Sequence, residues 1–138
     1  MLAPISNSNV IVSLVACESL IWEKDKDIPS AIRVLSAIQI TPLASTVHFT
    51  TLTILYNPSL DFLPHTLQLH VTAPDLKRIA SALPYRFVYG YKLSQADPGG
   101  FMLSTAFILE VKQLGTHWIQ AYLDGELKMQ IPIFIQRK

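Results

Sequence analysis

A single cysteine, Cys17, leaves this 138-residue chain without an intramolecular disulfide. The fold must rest on its core, a pattern that suits a reducing, cytoplasmic setting. Charge is also scarce. Charged residues make up 15% of the chain, against roughly 25% in an average soluble domain, so either the core is generous or some apolar surface meets a partner. Eleven basic and ten acidic residues are scattered to a net charge of +1, which leaves no footprint for nucleic acid or anionic lipid. Mean hydropathy is +0.33, yet no apolar run approaches the roughly 18 residues of a membrane-spanning helix. Internal repeats are absent as well.

Motifs that carry chemistry are missing too. The chain has no Gly-x-Ser-x-Gly elbow, phosphate loop or His-Glu-x-x-His pair. His65 and His70 are five apart in one expected strand and so face opposite sides, and His48 and His117 lie elsewhere, which argues against a metal site. A Cys17 thiol inside an apolar strand has its pKa raised and is a poor nucleophile. The expectation is a non-enzyme with no catalytic residues, no cofactor and no metal.

What is present reads as strands. Val10 to Ala16 is apolar and β-branched, and continues through Leu20-Ile21-Trp22 to a charged turn at Lys24 to Asp27. Residues 31–40 fit neither period cleanly. A helix would put Ile32, Leu35 and Ile38 on one stripe; the preferred strand puts Ile32, Val34 and Ser36 on one face and shifts at a bulge to Ile38 and Ile40. Val47 to Tyr56 is strand by composition, and Leu67, Leu69 and Val71 alternate cleanly with Gln68, His70 and Thr72. Within 74–83, Leu76, Ile79, Ala80 and Leu83 fall at helical spacing after Pro74-Asp75, which suggests one short helix. Tyr85 to Tyr91 and Phe101 to Val111 complete the series before the closing hairpin.

That hairpin, Gly115 to Ile135, turns at Asp124-Gly125, a pair suited to the positive φ angles of a type I′ turn. A two-residue loop pairs Leu123 with Glu126, Tyr122 with Leu127, Gln120 with Met129 and Trp118 with Ile131. One face then carries Trp118, Gln120, Tyr122, Leu127, Met129, Ile131 and Ile133 and is the expected core face, with Trp118 as its anchor. Ile119, Ala121 and Leu123 are left on the wet side, where an apolar strip marks a candidate interaction site for a protein partner or a second copy of the chain.

About eight strands with turn signals between them predict one all-β domain over 1–138, an antiparallel immunoglobulin-like sandwich. Val15-Ala16-Cys17-Glu18, the Lys24 to Asp27 turn, and Gly115, Trp118, Asp124, Gly125 and Pro132 carry a resemblance to bacterial families of short, uncharacterised Ig-like sandwich proteins. The resemblance implies the same sandwich, an extended stretch where the 74–83 helix is read, and no catalytic residues. The function expected from these readings is a non-catalytic interaction module that self-associates or binds protein through an apolar sheet face or edge. An alternative is a ligand- or carbohydrate-binding sandwich. Tyr85, Phe87, Tyr89 and Tyr91 alternate on one strand face and would form its platform if uncovered, although core packing is the preferred reading of these rings. Leu14-Val15-Ala16-Cys17 also resembles a lipobox, which would place this alternative on an exported lipoprotein; no Lys or Arg precedes it, and a buried strand cysteine is preferred.

Overall fold

Strand-like alternation in the sequence becomes ten strands in a computed structural model, which describes residues 10–22, 29–41, 45–56, 63–88 and 100–138. They are β1 (Ile11–Trp22), β2 (Pro29–Val34), β3 (Ala37–Ile40), β4 (Ser45–Tyr56), β5 (Pro64–Thr72), β6 (Arg78–Ser81), β7 (Tyr85–Val88), β8 (Gly100–Val111), β9 (Gly115–Leu123) and β10 (Glu126–Arg137). One sheet runs β2-β1-β4-β8 and the other β3-β10-β9-β5-β6, with β7 also paired to β5. Every pairing is antiparallel except β3 with β10. The result is an all-β sandwich, each sheet burying one face on the other.

Alternation decides which residues meet between the sheets. Val12, Leu14 and Ala16 of β1, Val47, Phe49 and Leu55 of β4, and Phe101, Phe107 and Leu109 of β8 are buried together with Leu67, Leu69 and Val71 of β5 and Ile133 and Ile135 of β10. Phe49 stacks on Phe107 at 5.4 Å between ring centroids. Thr51 and Thr53 are fully buried in the same row of β4. The Thr51 hydroxyl donates to the Thr105 carbonyl at 3.3 Å, whereas the Thr53 hydroxyl has no partner.

The uneven period of 31–40 marks a change of sheet. Within two residues, the Leu35 amide donates to Ala16 O in the first sheet at 2.8 Å and Ser36 O accepts from the Phe134 amide in the second at 2.9 Å. The expected single strand is therefore two, β2 and β3, one at an edge of each layer.

No helix occurs among the described residues, so the helix expected within 74–83 is corrected. Leu76 N donates to Ala73 O at 2.9 Å and Ala73 N to Lys77 O at 2.8 Å, closing a tight turn with Leu76 at φ 69°. The chain then returns as β6 along β5, and Ala82 N donates to Leu69 O at 2.9 Å. An isolated helix this short is marginal in water, and pairing along β5 outweighs its apolar spacing.

The closing hairpin turns as expected. Asp124 and Gly125 have φ of 51° and 82°, and Leu123 pairs with Glu126 and Tyr122 with Leu127. Beyond that point a bulge between Leu127 and Met129 shifts the register, so Met129 meets Ala121 and Ile131 meets Ile119. One extra residue reverses the face relationship between the two strands. Ile119, Ala121 and Leu123, expected on the wet side, are 0%, 1% and 0% exposed and belong to the core. Trp118, Gln120 and Tyr122 take the outer face and are only partly buried, so Trp118 is no core anchor. Met129, Ile131 and Ile133 do face inward, as the alternation of β10 required.

Two substitutions test this account. A Cβ added at Gly125 would meet nothing within 4 Å, so the cost of Gly125→Ala is that of backbone strain alone, on the order of 1 kcal/mol in a denaturant melt. An unchanged midpoint would contradict the turn geometry. Thr53→Val removes the unpartnered hydroxyl at nearly constant shape and is expected to stabilise by about 1 kcal/mol. The same change at Thr51, which loses a hydrogen bond, should not stabilise, and equal gains at both positions would refute the distinction.

Candidate interaction surface

With the expected strip in the core, the apolar surface lies on the opposite side of the molecule. The outer face of the four-stranded sheet follows from register and alternation. Its rows are Ser13, Ile54 and Met102; Val15, Leu52 and Ser104; Val34, Cys17, Thr50 and Ala106; and His48 with Ile108. No Lys or Arg stands in these rows, and at the β2 edge Arg33, at a left-handed φ, pairs with Glu18 at 3.3 Å beside Val34 and Cys17. Val34, Ile108 and Ile11 are 70%, 66% and 61% exposed. A wet sheet face normally alternates apolar-in with polar-out, so aliphatics on both sides of these strands are the anomaly of the fold. The clue in the sequence was the nearly unbroken apolar run Val10 to Ala16.

The outer face of the larger sheet is built differently. Thr72 Oγ1 donates to Gln120 Oε1 at 2.8 Å and Gln120 Nε2 to Gln130 Oε1 at 3.2 Å, a polar ladder across β5, β9 and β10. His70 lies edge-on to Tyr122 at 5.2 Å and bonds Ser81 Oγ through Nδ1 at 2.7 Å, while the Arg78 guanidinium lies 5.6 Å from the Tyr122 ring. A groove of about 230 Å³ runs past Gln68, His70, Arg78, Tyr122 and Gly125. Burial, then the Arg78 charge, hold the His70 pKa below its ordinary value.

Two further clusters engage histidines. Asp124 accepts from the Thr66 amide at 2.8 Å and lies 2.7 Å from His65 Nδ1, while its own amide donates to Thr66 O at 2.8 Å. This ties the hairpin tip to β5 and places His65 beside Phe87. At one end of the sandwich, a cleft of about 430 Å³ is lined by Asp75, Lys77, Glu110, Lys112, Gln113 and His117. His117 Nδ1 must donate to Gly115 O, 3.1 Å away, because a carbonyl only accepts; Nε2 is then the unprotonated nitrogen of the neutral ring. Burial lowers the His117 pKa, opposed by that hydrogen bond and by Asp75. Asp75 is held by Gln113 and the Lys77 amide, which lower its own pKa. No three His, Cys, Asp or Glu side chains gather as a metal site would need among the described residues.

Of the expected aromatic platform, Phe87 is buried against Phe101 at 4.2 Å and Tyr85, 42% exposed, leans on the same ring at 5.5 Å. Tyr89 and Tyr91, like the Lys24 to Asp27 turn, lie outside the described residues. Cys17 sits in mid-strand between Thr50 and Val34, fully buried, and burial raises its pKa. A chain starting at Cys17 would lose Val12, Leu14 and Ala16 from the core. No helix of the described residues is long and apolar enough to cross a membrane.

No protein-family model, curated protein or solved structure matches the chain.

Two of the buried imidazoles set a pH dependence. Both His70 and His117 bind protons less well folded than unfolded, so their contribution to stability is present above the ordinary value of 6.5 and is lost as pH falls below it. The melting temperature should drop between about pH 7 and pH 5, and the drop should shrink in His70→Gln and His117→Gln variants. A drop of equal size in both variants would show that other groups govern it.

Proposed function

We propose that this chain is a non-catalytic interaction module, immunoglobulin-like in its layering, that binds protein, a second copy of itself included, through the apolar outer surface of its four-stranded sheet. The observation that carries the reading is the exposure of Val34, Ile108 and Ile11, each more than half open, beside rows that hold no Lys or Arg among the described residues. Exposed aliphatics tend to mark interaction sites when they gather on one face, and charge depletion distinguishes the centre of an interface from the rest of a protein's surface. The chemistry of the remaining sites agrees with a non-catalytic role. His65 and His70 are engaged with Asp124 and Ser81, and the Cys17 thiol is covered in mid-strand. The working setting is the cytoplasm, where a chain with one thiol needs no oxidising environment.

Ile108→Lys tests the reading, because its side chain points out of the sandwich and the fold does not depend on it. Association of the wild type, followed by size-exclusion with light scattering, is expected to weaken at least tenfold, about 1.4 kcal/mol, while the thermal melt is retained. An oligomer unchanged by the substitution would sink the assignment of this surface.

A further inference from the structure

The four-stranded sheet ends in two unlike edges. β2 is six residues long, starts at Pro29 and carries Arg33 at a left-handed φ of 53°, three devices that keep a foreign strand from pairing there. The edges of the larger sheet are also blunted: β3, β6 and β7 have four residues each, and Pro84, Arg78 and Arg86 interrupt or charge the β6–β7 side. β8 is the exception. It pairs with β4 through all twelve of its residues, has no ladder partner on its other side among the described residues, and contains no Pro, Lys or Arg. In an antiparallel ladder alternate residues point their N–H and C=O away from the partner. About half of the β8 backbone groups therefore face outward, on a strand without the charges that natural edges use against pairing.

We infer that β8 is an assembly edge, and that it pairs antiparallel with β8 of a second copy across a two-fold axis at Ala106. The inference rests on the proposed reading of this sheet as the interaction surface and names the partner. Charge placement selects that occupant and orientation. Glu110, the only charge on the strand, sits near its end. With Ala106 opposite Ala106, Glu110 faces Met102 of the other copy, and the two carboxylates stand about 27 Å apart at about 3.4 Å per residue; a parallel pairing in register would set them side by side. The centre of the strand, Ser104-Thr105-Ala106, is small and uncharged. A net charge of +1 adds little repulsion between copies. Pairing satisfies the outward backbone groups and joins two apolar outer faces into one eight-stranded surface, a closed two-fold assembly that stops at the dimer.

The experiment uses three variants at solvent-exposed positions, checked for wild-type melting: Ala106→Lys, Ala106→Glu and Gln136→Lys. The wild type is expected to run as a dimer by size-exclusion with light scattering, and Gln136→Lys, on the other sheet, to remain one. Ala106→Lys and Ala106→Glu should each become monomeric, because like charges meet at the axis, and mixing the two should restore a mixed dimer with at least tenfold recovery of association. A wild type that stays monomeric overturns the pairing. A dimer that survives both single Ala106 variants overturns it too; if that dimer is lost in Ile108→Lys, the outer face itself is the contact and the proposed function stands without the edge. Dissociation by Gln136→Lys transfers the contact to the other sheet and overturns the edge pairing.

Discussion

A hairpin whose two strands must both bury aliphatic side chains on the same side has to reconcile its turn with its alternation, and here the reconciliation falls on Lys128. The Asp124-Gly125 turn fixes Leu123 opposite Glu126. Continued without interruption, that register would oppose Met129 to Gln120 and set the inward residues of β10 against the polar row of β9. The bulge between Leu127 and Met129 removes the conflict, and from there Ala121 with Met129 and Ile119 with Ile131 share the core side. Lys128, the residue left over, is 13% exposed in its side chain and reaches Glu126 at 3.4 Å. Because β9 lies between β10 and β5, this single residue sets which face of three strands is dry.

How much of this could be read in advance depended on whether the signal was local. The type I′ turn was legible because Asp-Gly states its backbone geometry directly, and the inward rows of β4 and β5 because alternation does the same. The faces of β9 were not legible. A bulge leaves no mark in composition, and Gln120 looked misplaced in a core until its hydrogen bonds to Thr72 and Gln130 gave it a place outside. The broken period at 31–40 was visible, but its cause, a change of layer at Leu35 and Ser36, is a tertiary event. The contact of Asp124 with His65 and Thr66 links positions nearly sixty apart in sequence, beyond the reach of any spacing rule. The site was legible in kind only. Scarcity of charge pointed to an apolar surface, and the strip chosen for it proved to be core.

The two outer faces resolve the same problem in opposite ways. On the larger sheet, polar side chains that are partly or wholly covered find one another: Thr72, Gln120 and Gln130 form a ladder, and His70 is held by Ser81 and Tyr122. Such a surface has few unmet hydrogen bonds to offer a partner. On the smaller sheet the aliphatics stand among Ser13, Thr50 and Ser104, and Val34, Ile108 and Ile11 meet water. The asymmetry makes the molecule two-sided, one outer face bonded within the chain and the other carrying exposed aliphatics.

The strand order also fixes when the second layer can exist. β3 and β5 are emitted early in synthesis but never touch; the hairpin of β9 and β10 is the slab inserted between them. Until those last residues leave the ribosome, β3 has no ladder and β5 only its short partners β6 and β7. The first layer faces a similar wait, since β4 gains β8 only across a long intervening stretch of chain. Pairings so distant in sequence form slowly, on the millisecond-to-second scale typical of β-sandwiches. On a nascent chain β1 and β4 therefore keep their apolar inner rows uncovered until the strands of the second layer have emerged, an interval in which such rows are open to aggregation.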